Sequence, residues 1–257
     1  MKKVILVDGN NLLFRSYYAT AYNGNFMKNS KGFPTNAIYG FINMINKIIE
    51  EEKPEYMLVA FDKGKTFRHS EYDEYKAGRS DTPDELKQQF PVAKDVLNAM
   101  GIKYFEIDNY EADDIIGTLS SMAHVDPLFD CEIISSDKDL LQLITDDVEV
   151  KLLKPKDYIR MNKEVFFNTY GLEPIKMIDL KSLMGDASDN IPGVKNLASA
   201  AAPLLSKYKT VENLYKAIEE IESVEIQVPD LYFSLDELEN LGLTLDDLEV
   251  LDQFIKE

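Results

Sequence analysis

The fold is decided by MKKVILVDGN, residues 1–10, in which a short apolar, β-branched run ends in an aspartate. Runs of similar character, MLVAF, CEIIS and VEVKLL, occupy residues 57–61, 131–135 and 148–153. Helical patterns lie between and after them, at residues 37–52, 83–100, 112–122 and 138–143. Apolar strands that alternate with helices indicate a mostly parallel sheet covered on both faces. We therefore predict an α/β fold of the doubly wound class.

The composition sets limits on the class of protein. An apolar fraction of 45% in 257 residues is ordinary for a soluble globular chain. No apolar run reaches the roughly eighteen residues that a membrane span needs, and Asp8 interrupts the N-terminal run too early for a signal peptide. The single Cys131 lies in an apolar run, which excludes a disulfide framework and favours a reducing cytoplasm. We expect a cytoplasmic protein with no membrane partner.

The charge is strongly acidic and unevenly distributed. The chain carries −18, and from Glu219 onward thirteen acidic residues and one lysine contribute −12 of that total. An acidic protein is at first sight a poor partner for nucleic acid, because phosphate binding requires lysine and arginine. Bound divalent cations would reverse the local field of clustered acids, however, so net charge does not decide the partner.

A change in pattern near Pro174 predicts a second region. Strand-like runs stop there, and helical patterns follow at residues 174–184, 197–208, 211–221, 235–241 and 245–255. We therefore divide the chain into a catalytic α/β domain, residues 1–173, and an all-helical C-terminal region, residues 174–257.

Carboxylates follow three of the predicted strands. Asp8, Asp62 and Asp137 come at strand ends, and the carboxyl ends of parallel strands are where open α/β sheets bind ligands. Oxygen ligands without nearby histidine or cysteine favour Mg²⁺ or Mn²⁺, and this many acids suggests two or more ions. Two such ions form the standard clamp for phosphodiester hydrolysis. The candidate metal ligands are Asp8, Asp62, Glu111, Asp113, Asp114, Asp137, Asp139, Asp186 and Asp189.

Each acid also has an ordinary structural interpretation. Asp8 could start a turn, and Asp113 and Asp114 could be first-turn acids favoured by a helix dipole. Asp137 and Asp139 could cap the short helix that follows them. Only the repetition of acids at one sheet edge favours a metal site over these local explanations.

A basic and aromatic segment follows Asp62. The stretch KGKTFRHSEYDEYKAGRSDTPDEL, residues 63–86, interleaves bases with aromatic rings, as proteins that track a single-stranded backbone and stack its bases do. The alternative is a solvated loop, since acids in the same stretch dilute its charge. His69 is a poor metal ligand because no second histidine is near it in sequence. The candidate nucleic-acid contacts are Arg68, Tyr72, Tyr75, Lys76 and Arg79.

Several stretches together resemble a known family. VILVDGNNLLFRSYYA, AFDKGKTFRHSEYDEYKAGR, TPDEL, YEADDIIGTL, SSDKDLLQL and LKSLMGDASDNIPGVK occur in order between residue 3 and about residue 195. They resemble the 5′-to-3′ exonuclease of bacterial DNA polymerase I and its stand-alone relatives, within the flap-endonuclease superfamily. The resemblance implies a PIN-like sheet and a helical arch, here about residues 64–92, through which a 5′ single strand threads.

The resemblance also implies an activity and a division of labour. All nine candidate acids match the family's metal-binding acids, and Lys76 and Arg79 match arch bases that engage the scissile phosphate. With Asp8 and Asp113 these two bases make up the expected catalytic residues. The main metal pair is expected on Glu111, Asp113, Asp114 and Asp137, with Asp8 and Asp62 as the floor, and a looser cation on Asp139, Asp186 and Asp189. The implied substrate is DNA with a 5′ single-stranded end or flap, cleaved by a monomer.

The chain departs from the family after residue 195. Relatives continue with a segment like GIGEKTALKLL, a helix-hairpin-helix that holds the duplex backbone, whereas this chain reads NLASAAAPLL, residues 196–205. Asn196 and Ala198 stand where glycines are expected, and alanine does not freely adopt positive φ. Helices that relatives place before PDLYFSLDEL, residues 229–238, also have no counterpart. We expect 196–205 to form a plain helix and duplex binding to be weakened.

Three alternatives remain open at this stage. The chain could be a non-catalytic or engineered nuclease-fold protein that has lost productive DNA binding. A phosphatase with an aspartate nucleophile is weak, because Gly9, Asn10 and Asn11 follow Asp8 where a second acid is required. A PIN-type RNA nuclease is possible on fold alone, but the arch and the GDASDN loop favour DNA.

Overall fold

The computed structural model describes residues 1–21 and 27–223, with side chains as far as residue 219. A six-stranded sheet has the order β3-β2-β1-β4-β5-β6, and all neighbouring pairs are parallel except β5 with β6. The mostly parallel sheet predicted from the sequence is confirmed. The strands are β1 (Lys2–Asp8), β2 (Tyr56–Ala60), β3 (Lys103–Phe105), β4 (Phe129–Ser135), β5 (Val148–Leu153) and β6 (Tyr158–Met161).

Helices flank this sheet and build the rest of the described chain. The α-helices are α1 (Gly9–Thr20), α2 (Asn36–Glu52), α3 (Phe67–Glu71), α4 (Asp84–Lys87), α5 (Gln89–Ala99), α6 (Ala112–Val125), α7 (Lys163–Tyr170), α8 (Met177–Met184), α9 (Ala201–Tyr208) and α10 (Val211–Ser223). Short 3-10 helices occupy Asp139–Leu143 and Pro174–Lys176. No helix in the described ranges combines the length and the apolar character needed to cross a bilayer.

The central strand explains the layered architecture. Ile5, Leu6 and Val7 are each at most 1% exposed, although their side chains alternate between the two faces of the sheet. Ile5 and Val7 pack in one cluster with Phe41 of α2 and Leu12 of α1. A strand that is apolar on both faces must be covered on both, which is why the chain alternates strands with helices.

Helix α2 shows how the apolar spacing sets one covering layer. Its residues Ala37, Phe41, Ile45 and Ile48 are buried and recur every three or four positions, so they form one stripe along the helix. The helix ends where Lys53 adopts a left-handed backbone with φ of 46°. Residues 37–52, predicted as a helix, fall inside the observed bounds.

A buried ionic layer lies at the C-terminal end of α2. Glu52 forms ion pairs with Lys151 at 2.8 Å and with Arg160 at 2.9 Å, and Glu132 forms ion pairs with Arg160 at 2.8 Å and with Lys3 at 3.1 Å. Burial raises the pKa of Glu132, whereas at Glu52 the hydrogen bonds from Lys151, Lys3 and Arg160 outweigh burial and lower the pKa. The stability of each buried charge therefore depends on its ion-pair partners, because an unpaired charge in the interior destabilises the fold.

Several elements were not anticipated from the sequence pattern. Helices α1 and α7 and strands β3 and β6 follow no run that we singled out. The buried face of α1 is not uniformly apolar in sequence, because polar Ser16 is buried beside Leu12, Leu13 and Tyr17. The single helix predicted over residues 83–100 is two helices that meet at Gln88.

The altered segment after residue 195 differs from its prediction. We expected a helix over residues 196–205, but α9 begins only at Ala201, so the prediction is wrong for residues 196–200. Asn196 has a φ of 63°, in the left-handed region that asparagine tolerates better than most residues. Leu197 and Ala200 are buried, so the turn still packs its apolar residues. The helices predicted at 235–241 and 245–255 lie outside the described residues.

The chain divides into two compact units. The first contains residues 1–73 and 80–163, and the second contains residues 74–79 together with the chain from residue 164. The first unit holds the sheet and seven of the candidate acids. The second holds Asp186, Asp189, Lys76 and Arg79.

Candidate active site

Asp8 occupies the end of the central strand and the start of α1. Its carboxylate accepts hydrogen bonds from the Asn11 backbone N–H and from the Ser135 hydroxyl, both at 2.9 Å. Gly9 is needed next to it, because a Cβ there would lie 2.5 Å from the Phe61 ring. Asp8 is 6% exposed, and burial raises its pKa to about 7 against the lowering effect of these hydrogen bonds. It therefore caps α1, where the ordinary interpretation had expected only a turn, and its carboxyl also has a strongly raised pKa.

Asp113 shows that other carboxylates lie near Asp8. Its pKa is raised well above the usual range, first by burial and then by the negative charges of Asp8, Asp137, Asp62 and Glu111. Neither Asp8 nor Asp113 has an ion pair with a basic side chain in the part of the chain that the structure describes. Repulsion between carboxylates that raises their pKa values, here at the carboxyl ends of the strands, is typical of functional sites.

Asp62 follows β2 and joins the sheet edge to α6. One of its oxygens accepts the Ala112 backbone N–H at 2.7 Å, and the other accepts the Asn10 side-chain amide at 2.9 Å. The Asp62 carboxylate thus lies at the N-terminus of α6, where the helix dipole favours negative charge. Sequence reasoning missed the role of Asn10, although its position directly after Asp8-Gly9 was the available signal.

Glu111 and Asp114 form a reciprocal cap at the start of α6. Glu111 caps the helix, and its backbone N–H donates to Asp114 at 2.9 Å. Asp114 also receives both guanidinium N–H groups of Arg68 at 2.8 Å, a bidentate ion pair. The Thr66 hydroxyl donates to Glu111 at 3.2 Å, and His69 Nδ1 accepts the Thr66 backbone N–H at 3.1 Å. A predicted DNA contact, Arg68, is thus bound to a predicted metal ligand.

Asp137 and Asp139 follow β4. Asp137 accepts the Asp139 backbone N–H at 2.8 Å, and the Asp137 N–H donates to the Ser135 hydroxyl at 3.0 Å. Ser135 therefore links Asp8 to the Asp137 backbone, while Asn11 accepts the Ser136 N–H at 3.0 Å. Neither Ser135 nor Asn11 was among our candidates. Their signal was only their proximity to the two aspartates in sequence.

The remaining candidates lie in the second unit. Asp186 accepts from Lys181 at 2.5 Å and from the Ser188 hydroxyl at 2.6 Å. Burial opposes ionisation there, but these hydrogen bonds outweigh it and lower the Asp186 pKa to about 2. Asp189 forms an ion pair with Arg79. Both acids already have a cationic partner in this structure.

The predicted DNA contacts differ in exposure. Tyr72, which belongs to the first unit, is 37% exposed. In the second unit Tyr75 is only 7% exposed, so its ring is not open for base stacking, and Lys76 Nζ lies 4.8 Å from the centre of that ring. Lys76 itself has a φ of 59°. Of these two rings, Tyr72 is the more exposed.

The first unit's carboxylates suit a hard cation by their chemistry but do not converge on one point. No three histidine, cysteine or acidic side chains within the described ranges are placed to hold one metal ion. The oxygen-only donor set and the raised pKa values of Asp8 and Asp113 are nevertheless what a divalent cation would neutralise.

Family comparison identifies the chain. The model of the 5′-3′ exonuclease N-terminal, resolvase-like domain matches residues 3–171, and that of the 5′-3′ exonuclease C-terminal SAM fold matches residues 172–241. The chain belongs to the 5′-3′ exonuclease family. The second match includes the altered segment at 196–205.

Curated relatives of this chain are DNA polymerases. DNA polymerase I of Bacillus caldotenax is 45% identical over 229 residues, and that of Bacillus subtilis is 44% identical over the same length. Each alignment covers 88% of this chain but only 26% of the relative. The chain thus spans about a quarter of the length of these polymerases.

Solved structures share the fold at low identity. T5 5′-exonuclease with bound zinc has a TM-score of 0.69 at 23% identity, covering 97% of this chain and 87% of its own. The catalytic core of Rad2 in complex with a DNA substrate has a TM-score of 0.60 at 19% identity, covering 98% and 77%. These likenesses confirm the expected flap-nuclease type of α/β fold.

Proposed function

We propose that this protein is a divalent-metal-dependent 5′-3′ exonuclease and flap endonuclease that hydrolyses DNA phosphodiester bonds. The observation that carries the proposal is the raised pKa of two neighbouring acids, buried Asp8 and part-buried Asp113, which desolvation and the surrounding carboxylates both raise. Mutually repelling acids at the carboxyl ends of the strands cost stability, and the helix cap formed by Asp8 does not remove that repulsion. A bound cation would remove it.

The first unit's residues hold and orient the carboxylates. Ser135 and the Asn11 N–H fix the Asp8 oxygens, and the Ala112 N–H and Asn10 fix those of Asp62. We assign Glu111, Asp113, Asp114 and Asp137 to the main metal pair. Bound Mg²⁺ or Mn²⁺, in two or more positions, would supply Lewis acidity and neutralise charge on the reacting phosphate.

The proposed substrate is DNA with a 5′ single-stranded end or flap. The family match and the DNA complex of Rad2 support it, as does the half-exposed guanidinium of Arg79. Arg79 and Lys76 would bind the scissile phosphate and stabilise its developing charge. We further propose that the protein acts as a monomer in the cytoplasm, where its DNA would be.

A cleavage assay tests this function. A 5′-labelled flap duplex is incubated with the protein in Mg²⁺, in Mn²⁺ and in EDTA. We expect short labelled products only with metal, and a loss of at least about a hundredfold in Asp113→Asn. Asp95→Asn, an exposed acid of α5, is the matched control and should cleave normally. Absence of cleavage by the folded wild-type protein at high concentration with metal would reject the proposal.

One alternative function is favoured by a specific observation. The turn at residues 196–200 lacks the glycines expected of a duplex-binding hairpin and buries Leu197, although Asn196 still adopts positive φ. A nuclease-fold protein without productive DNA binding would have such a segment. Salt-dependent binding to branched DNA distinguishes the two, because each phosphate contact adds nearly one unit to the log–log salt slope.

A further inference from the structure

Residues 74–79, the docked segment, lie against the loop of residues 185–194, the receptor loop, within the second unit. Two backbone-directed hydrogen bonds connect them. The Lys76 N–H donates to the Asp189 carbonyl at 2.9 Å, and the Asn190 side-chain amide donates to the Glu74 carbonyl at 3.1 Å. Both hydrogen bonds involve backbone groups of the docked segment, so they fix the path of its main chain as well as the positions of its side chains.

Arg79 adds a side-chain contact at the end of the segment. Its Nε–H donates to the Ser188 carbonyl at 3.1 Å, and its guanidinium pairs with the Asp189 carboxylate. The Asp189 side chain is 14% exposed, whereas the Arg79 side chain is 51% exposed. The acid is thus largely covered while the base that it holds stays half open to solvent.

The receptor loop has internal restraints that do not involve the docked segment. Asp186 and Ile191 exchange backbone hydrogen bonds at 2.8 and 2.9 Å, and Asp186 also accepts the Ser188 N–H at 2.8 Å. Gly185 has a φ of 69°, and a Cβ there would lie 2.3 Å from the backbone N of Gly193. The loop is therefore a preformed surface on which the segment can dock.

We propose that Asp189 is a positioning residue for Arg79, in addition to any part it has as a cation ligand. A guanidinium has five N–H donors in a rigid fork, and Asp189 and the Ser188 carbonyl leave part of that fork available. Fixing Arg79 in advance lowers the entropy lost when it binds a phosphate. That the bound group is a DNA phosphate rests on the proposed function, but the docking itself does not.

Limited trypsin digestion in EDTA tests the docking without metal or DNA. Trypsin cuts after Lys76 and Arg79, and mass spectrometry reads the two cleavages separately. We expect Asp189→Asn to raise the initial cleavage rate at these sites about tenfold, since charge-assisted hydrogen bonds are roughly twice as strong as neutral ones. Asp189→Glu should restore part of the protection. Asp81→Ala, an exposed acid close to the segment, is the control and should leave the rate unchanged.

Two outcomes decide the proposal. Equal cleavage of wild type and Asp189→Asn in EDTA, with melting curves that show both are folded, would mean that Asp189 does not hold the segment, and would overturn it. If cleavage rises as expected, flap kinetics add a second test: Asp189→Asn should raise KM for DNA more than it lowers kcat, and excess Mg²⁺ should not rescue it. A wild-type protein that cuts no DNA would reject the nuclease function but leave the trypsin result standing.

Discussion

Neutralising Asp8 should stabilise the metal-free protein. The folded-state pKa of Asp8 is raised from 3.8 to about 7, so the fold favours the protonated carboxyl. The contribution of protonated Asp8 to the free energy of unfolding is fully present below pH 3.8 and is lost as the pH rises through about 7. Asparagine resembles the protonated form, because its oxygen can accept the Asn11 N–H and its amide can donate to the Ser135 hydroxyl.

The magnitude follows from the shift. About three pKa units at ~1.36 kcal/mol each is about 4 kcal/mol for a fully buried group. We expect Asp8→Asn to raise the free energy of unfolding by about 2–4 kcal/mol at about pH 8, and by about 40% of that amount near pH 5. In a chain of this size that is a rise in Tm of about 5–10 °C.

Thermal and urea unfolding in EDTA at the two pH values measure this change. Asp95→Asn serves as the exposed control, with an expected effect within about 0.5 kcal/mol. Adding Mg²⁺ should then raise the Tm of wild type more than that of Asp8→Asn, since a ligand stabilises only the state that binds it. If Asp8→Asn is no more stable than wild type near pH 8 in EDTA, the buried-carboxylate argument is wrong.

Three further predictions concern other parts of the chain. Lys151→Ala should lower the free energy of unfolding in urea by about 3–5 kcal/mol, because it leaves buried Glu52 with fewer cationic partners. The control Lys47→Ala, on the exposed face of α2, should lower it by less than about 1 kcal/mol. Ser135→Ala should raise the Asp8 pKa further and weaken Mg²⁺ binding, as read by calorimetry near pH 7; unchanged affinity would show that this hydrogen bond does not matter. Gly185→Ala should cost about 1–3 kcal/mol or more and increase trypsin cleavage after Arg79, while equal stability would contradict the tight Gly185–Gly193 approach.

The sequence by itself determined the sheet and its acidic edge. Strand periodicity and β-branched residues are local properties, so β1, β2, β4 and β5 could be read from runs such as VILV. Because parallel strands end at one edge, the position of Asp8, Asp62 and Asp137 followed from their places after those runs. Helix α1 and strands β3 and β6 were not predicted, since their polar or short sequences form regular structure only through tertiary packing.

Only the tertiary structure decided which partner each charged residue has. The segment 63–86 predicted Arg68 and Arg79 as DNA contacts, yet Arg68 forms an ion pair with Asp114 and Arg79 with Asp189. These residues are 46 and 110 positions apart in the chain, so no local pattern encodes the pairing. The raised pKa of Asp8 is likewise a product of burial and of neighbours brought from other strands, and neither is visible until the chain is folded.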